Sequence, residues 1–104
     1  MKRTAYKLNI PNYIVNIIHG IHPDLKKKIK ASLQIILSDP FSGKSLKEEL
    51  EGLKSYRVSR FRIIYRISNR KKIDVVAIGP RKSIYKQTFK IITREIKKTP
   101  VPKQ

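Results

Sequence analysis

The chain has no cysteine and no tryptophan among its 104 residues, and only seven acidic side chains. Without thiols it can form no disulfide, zinc–thiolate site or cysteine nucleophile. Small secreted domains commonly use disulfides to supplement a thin core, so their lack favours the cytoplasm. No stretch approaches the roughly 18 consecutive apolar residues of a membrane span. Met1-Lys2-Arg3-Thr4 is basic, and the alternating segment after it is not the apolar centre of a signal peptide. A cytoplasmic protein without a membrane partner is therefore expected.

Hydrophobic residues make up 39% of the chain. A chain of this length buries roughly 60–70% of the surface that its unfolded form exposes, which supports one modest core. The expected organisation is a single domain over residues 1–98 and a flexible tail over 99–104, where two prolines interrupt any regular structure. Set against the shortage of carboxylates are 25 Lys and Arg, for a formal net charge of +18. A field of that sign attracts polyanions, and neutralising phosphates with release of counterions supplies most non-specific nucleic-acid affinity. Nucleic acid, the ribosome or an acidic protein are the partners this charge implies.

Tyr6-Lys7-Leu8-Asn9-Ile10 alternates apolar and polar residues, as a strand with one buried face does. Pro11 suits the first turn of a helix whose apolar side is Ile14, Val15, Ile17, Ile18 and Ile21, and Gly20 marks its end. Pro23-Asp24 opens a second helix with a stripe of Leu25, Ile29, Leu33, Ile36 and Leu37, ended by Asp39-Pro40. Residues 41–52 read as a connection containing the acidic cluster Glu48, Glu49 and Glu51. Ser45-Leu46-Lys47-Glu48 has capping-box spacing, which allows a short helical turn.

Residues 54–59, 61–68 and 73–78 are strand-like, rich in β-branched and aromatic side chains. Ser59-Arg60 forms a tight hairpin without the usual Gly or Asn, and Asn69-Arg70-Lys71-Lys72 forms the next turn. From Lys82 the spacing of Tyr85, Phe89, Ile92 and Ile96 is helical. This order predicts an α+β fold: an N-terminal strand, a helical hairpin, antiparallel strands and a C-terminal helix, with the helices on one side of a mainly antiparallel sheet.

Between residues 53 and 98, fifteen Lys and Arg oppose only Asp74 and Glu95, a net +13. Strand side chains alternate between faces. Ser55, Arg57 and Ser59 share one face of their strand, and Arg62, Ile64 and Arg66 share one face of the next. Ile63, Tyr65 and Ile67 form the opposite, apolar stripe. An open, concave arginine surface is expected, suited to phosphate because guanidinium forks bind it bidentately and stay charged.

Leu46-Lys47, Leu50, Gly52-Leu53 and the run Tyr56-Arg57-Val58-Ser59-Arg60-Phe61-Arg62-Ile63-Ile64-Tyr65-Arg66-Ile67 closely resemble the central signature of RelE/ParE toxins. Val75-Val76-Ala77-Ile78-Gly79-Pro80-Arg81-Lys82-Ser83-Ile84-Tyr85 resembles their closing strand and arginine–tyrosine motif. The resemblance runs from about residue 6 to 96. It implies a toxin of a toxin–antitoxin system that cleaves messenger RNA in the ribosomal decoding site, using the RNA's own 2′-hydroxyl and neither metal nor other cofactor. Its implied partners are a cognate antitoxin, the ribosome and messenger RNA.

Carried over residue by residue, Arg57 corresponds to a cation near the scissile phosphate and Arg62 to an arginine that grips it. Arg81 corresponds to the arginine at the leaving oxygen, and Tyr85 to a tyrosine that stacks on a base, a contact worth about 1–3 kcal/mol. Lys54, Arg60, Arg66 and Lys82 are the further RNA-binding candidates. The departures are Ser59-Arg60 in place of a frequent Gly-Asp turn, Ser55 in place of a second lysine, and Pro80 where some relatives carry histidine.

No general base is identified. His19 and His22 are assigned to the helical hairpin, far from the arginine face. Glu48, Glu49 and Glu51 are read as local salt-bridge partners, the Lys26-Lys27-Lys28 run as a solvated helix face, and Tyr65 as structural. Phe89 and Ile92 are expected to pack on the sheet or near an antitoxin groove. Two alternatives stand beside the ribonuclease: a ParE-type inhibitor of DNA gyrase that cleaves nothing, and a catalytically inactive relative that only binds RNA or an antitoxin.

Overall fold

A computed structural model describes residues 6–68 and 71–98. Asn69 and Arg70 of the expected turn, the side chain of Ile96 and the tail over 99–104 lie outside the described residues. The chain runs through β1 (Lys7–Asn9), α1 (Asn12–His19), α2 (Pro23–Ser38), β2 (Lys44–Ser45), β3 (Lys54–Val58), β4 (Phe61–Ser68), β5 (Lys72–Pro80) and α3 (Arg81–Lys98). The sheet order is β1-β5-β4-β3-β2. β1 joins β5 in parallel, and the remaining pairs are antiparallel. The α+β class and the order of elements follow the sequence reading.

Helix starts and stops follow local chemistry. His22 caps α2 by accepting the backbone N–H of Asp24 at 3.2 Å, and Pro23 occupies the first turn, where its missing donor costs nothing. Within the connection, β2 is followed by a 3₁₀ turn over Glu48–Leu50. The capping box does not form, because Ser45 is taken into β2 and Lys47 stands at the start of the turn without a side-chain cap.

The helices do not share one side of the sheet. Ile14 and Ile18 of α1 and Ile29, Leu33 and Ile36 of α2 pack with Val58, Ile63, Tyr65, Ile73, Val75 and Ile78 on one face. Ile84 of α3 packs with Leu53, Ile64, Val76 and Ala77 on the other. The reason is legible in β5: Val75-Val76-Ala77-Ile78 is apolar without alternation, the pattern of a strand covered on both faces. A bulge opposite Ile64 and Tyr65 sends Val76 and Ala77 to the same side. Tyr13 of α1 donates its hydroxyl hydrogen to the carbonyl of Val76, satisfying that acceptor beyond the reach of β1.

Helix faces differ from the expected stripes in two places. Ile17 is exposed on α1. On α3 the buried line is Ile84 and Thr88, not Tyr85 and Phe89, and Phe89 is 45% exposed. Thr88 tolerates burial because its hydroxyl donates to the carbonyl of Ile84 at 2.7 Å. That one-residue rotation frees Tyr85 for the sheet's polar groups.

Tyr65 is structural, as expected. Fully buried, it donates to the carbonyl of Pro40 at 2.8 Å and accepts the N–H of Gly43 at 3.0 Å, pinning the connection to β4. Burial pushes its hydroxyl above the ordinary tyrosine pKa, partly offset by the Gly43 N–H. Gly43 must stay bare, since a Cβ there would stand 2.5 Å from the Tyr65 hydroxyl. Tyr65→Phe leaves both backbone groups unpaired and is expected to cost about 1–3 kcal/mol. For a domain of this size, each kcal/mol lowers Tm by about 4–8 °C, readable by circular dichroism. An unchanged Tm would contradict the pinning role.

Candidate nucleic-acid interface

The β3–β4 hairpin sets the geometry of the basic surface. Its tip is Ser59-Arg60, with Val58 and Phe61 paired behind it. Ser59 carries φ 59°, while Arg60 keeps a negative φ, the φ pattern of a II′ turn. A serine in this left-handed region costs about 1 kcal/mol or more. The N–H of Arg81 donates to the carbonyl of Arg60 at 2.8 Å, which moors the start of α3 to the hairpin tip.

This mooring gathers residues from three elements. Arg57, Arg60, Arg81 and Lys82, with Ser59 and Pro80, line one cleft of about 560 Å³. The first turn of α3 contains no acidic side chain, so the positive end of the helix dipole adds to these four cations and is not offset. Among the described residues, the ion pair made by a Lys or Arg is Arg66–Asp74. Among the described residues, no carboxylate lies within 4.0 Å of the four cleft cations. Four cations around a concavity give it the electrostatics that suit an anion.

Arg62 occupies a second layer. It is the direct cross-strand partner of Arg57, which sets like charges side by side at a cost to stability. Its Nη1 donates to Ser55 Oγ at 3.3 Å, and that oxygen lies 3.2 Å from the Tyr85 hydroxyl. Ser55 is only 1% exposed. The Nε of Arg62 is buried and has no hydrogen-bond partner among the described residues. Gly79 pairs with Arg62 on β5, and a Cβ there would come within 3.1 Å of Ile84, so the bare glycine lets α3 sit close over this layer. The arginine face is thus partly roofed by α3 and not fully open.

Of the site residues named from sequence, Arg57, Arg60, Arg81 and Lys82 converge on the cleft, and Arg62 and Tyr85 meet through Ser55 behind it. Lys54 and Arg66 lie elsewhere. Lys54 Nζ reaches Ser45 Oγ at 2.9 Å and sits 5.4 Å over the ring of Phe41, near the β2 edge. Arg66 Nε stands 3.6 Å from Asp74, whose other oxygen accepts from Asn9 at 2.9 Å.

The role of Ser55 as the link was missed in the sequence. The available signal was a small polar residue on the strand face that also carries Ile64. His22 stands closer to the arginine face than its place in the helical hairpin suggests. It is not remote, because it lines a cleft that also includes Ser59 and Arg60. Glu48, Glu49 and Glu51 form no ion pair among the described residues, and Glu49 instead borders a recess with Leu50, Tyr85, Lys86 and Phe89. Among the described residues, no group of three or more His, Asp or Glu side chains is placed to hold a metal ion. No helix among them is long and apolar enough to cross a membrane.

Fold and site together define a small, strongly cationic α+β domain whose sheet end and last helix build an open cleft lined by four cations. Residues 8–85 match the family described as ParE toxin of type II toxin-antitoxin system, parDE. The fold is similar to that of the RelBE2 toxin–antitoxin complex from Mycobacterium tuberculosis, at 22% identity and TM-score 0.66, covering 77% of this chain and 95% of that one. It is also similar to an E. coli RelE variant in the free state, at 17% identity and TM-score 0.69, covering 88% and 98%. An archaeal RelE–RelB complex from Pyrococcus horikoshii is similar at 18% identity and TM-score 0.62, covering 74% and 96%. No curated protein matches the sequence. The chain belongs to the RelE/ParE toxins of type II toxin–antitoxin systems.

Proposed function

We propose that this toxin cleaves messenger RNA in the ribosomal decoding site and is neutralised by a cognate antitoxin that covers its basic surface. The observation that carries this reading is the cleft of Arg57, Arg60, Arg81 and Lys82, four cations without carboxylate partners among the described residues, backed by the Arg62–Ser55–Tyr85 chain. In the proposed reaction, the 2′-hydroxyl of the RNA gives its proton to water and its oxygen bonds to the adjacent phosphorus, while the bond to the 5′-oxygen breaks and that oxygen takes a proton from water. Negative charge grows on the phosphoryl oxygens and on the leaving oxygen. Preorganised guanidinium groups stabilise such charge without reorganising.

Neither histidine nor carboxylate lines the cleft. Arginine, always protonated, is a poor base. The chain's contribution is therefore positioning and charge stabilisation, with Arg81 aimed at the leaving oxygen and Tyr85 at a base. Complexes with antitoxins among the structural relatives support the antitoxin partner.

Primer extension on a messenger in a reconstituted translation reaction tests this reading. Wild-type protein is expected to cut at ribosome-positioned codons, and an Arg81→Ala, Tyr85→Ala double variant is not. Intact messenger with normal translation would overturn it. The matched family's parDE description favours a second reading, inhibition of DNA gyrase without cleavage. Loss of supercoiling activity with undisturbed translation would select that reading. RNA binding without either effect would identify an inactive relative.

A further inference from the structure

We infer that the toxin carries a second nucleotide subsite beyond the arginine cleft, on the far side of the β3–β4 tip, which holds single-stranded RNA next to the scissile step; this rests on the RNA reading above. A separate cleft of about 480 Å³ lies there. It shares Ser59 and Arg60 with the arginine cleft, so one wall serves both and a strand leaving the first enters the second across two residues.

The lining chemistry is that of a nucleotide. Half-buried Leu25 and Phe61 supply an apolar and aromatic surface, while exposed Lys28 and Arg60 supply cations for a phosphate. Bases stack on aromatic surfaces whatever their identity, and backbone phosphates follow adjacent cations. Asp24 is the one carboxylate in the cleft. It is highly exposed, and the two cations outweigh it. Lys28 makes no ion pair among the described residues and is free to meet a phosphate. The strained φ of Ser59 shapes the wall common to both clefts, the kind of place where backbone strain is retained for function.

A subsite on one flank predicts a directional length dependence. Fluorescence anisotropy with the full chain and labelled single-stranded RNA, grown one nucleotide at a time from a dinucleotide toward either end, is the test. Affinity is expected to rise about tenfold on extension in one direction and little in the other. Lys28→Glu is expected to abolish that gain and to reduce the salt-dependence slope by about 0.7, one phosphate contact. Lys27→Glu, with the same charge change on the same helix but outside both clefts, is expected to preserve the gain.

Equal losses in the two variants would reduce the effect to the general field and overturn the inference. So would an equal gain in both directions, no gain at all, or a gain with duplex DNA only. The assay needs no cleavage. A directional gain without messenger cutting would leave the subsite standing and refute the ribonuclease reading alone.

Discussion

Replacing Arg81 by alanine is expected to slow single-turnover cleavage of ribosome-bound messenger by about 10²–10³-fold, the range found when one preorganised donor to a developing oxyanion is removed. The residue stands at the first position of α3, in a cleft with Arg57, Arg60 and Lys82, and no carboxylate of the described residues lies within 4.0 Å to absorb its charge. Arg81→Lys separates charge from shape. A point ammonium keeps the field but loses the planar fork, so an intermediate loss is expected. Arg57→Ala is expected to act in the same cleft, and its combination with Arg81→Ala should fall short of the product of the single losses. Quench-flow with a labelled messenger reads the four variants against the wild type. A loss of less than threefold for Arg81→Ala would remove it from the reacting groups.

Substituting Arg62 by methionine is expected to move stability and activity in opposite directions. Arg62 holds a buried Nε without a partner among the described residues and faces Arg57 across the strands, so the fold carries both a desolvated donor and a like-charge contact. An unmet buried donor costs about 1–3 kcal/mol, and methionine fills much of the same volume without it. Thermal denaturation should show Tm higher by several degrees, while messenger cleavage falls by at least about 100-fold. Added phosphate or sulfate should raise the wild-type Tm more than that of the variant, since an anion that binds the folded state stabilises it. A destabilised Arg62→Met protein would show that the Arg62–Ser55 contact is structural and that the arginine is not a strained functional group.

The opposite cases of Arg62 and Arg66 show how far a strand pattern reaches. Alternation correctly put both on one face of β4 with Ile64 between them. It carried no information on what covers that face. α3 comes down over Arg62, whereas Arg66 pairs with Asp74, the residue opposite it on β5. Asp74 was visible as one of two carboxylates in the basic half, but its partner depends on the β4–β5 register, which the bulge at Val76 shifts by one residue. Lys54 likewise sits on a strand of the site yet turns to Phe41 and Ser45, because β2 occupies the edge beside it. His22 stands closer to the arginine face than its place in the helical hairpin suggests, for a related reason. Its cap role is local and readable, but its nearness to Arg60 arises where α2 packs against the β3–β4 hairpin, far apart in sequence.

By itself the sequence determined the class of the fold, the order of its elements, the buried stripe of α2, the large positive charge and the family motifs carrying Arg57, Arg62, Arg81 and Tyr85. These follow from local rules: periodicity, proline and glycine punctuation, and side-chain alternation act over a few residues and leave their mark in the chain. Only the tertiary structure decided that α3 covers the sheet face opposite α1 and α2, that Ser55 joins Arg62 to Tyr85, and that the hairpin tip divides two adjoining clefts. Those features depend on register, on the bulge in β5 and on a one-residue rotation of α3. Each is set by how whole elements fill space against one another, a balance of packing that no short window of sequence contains.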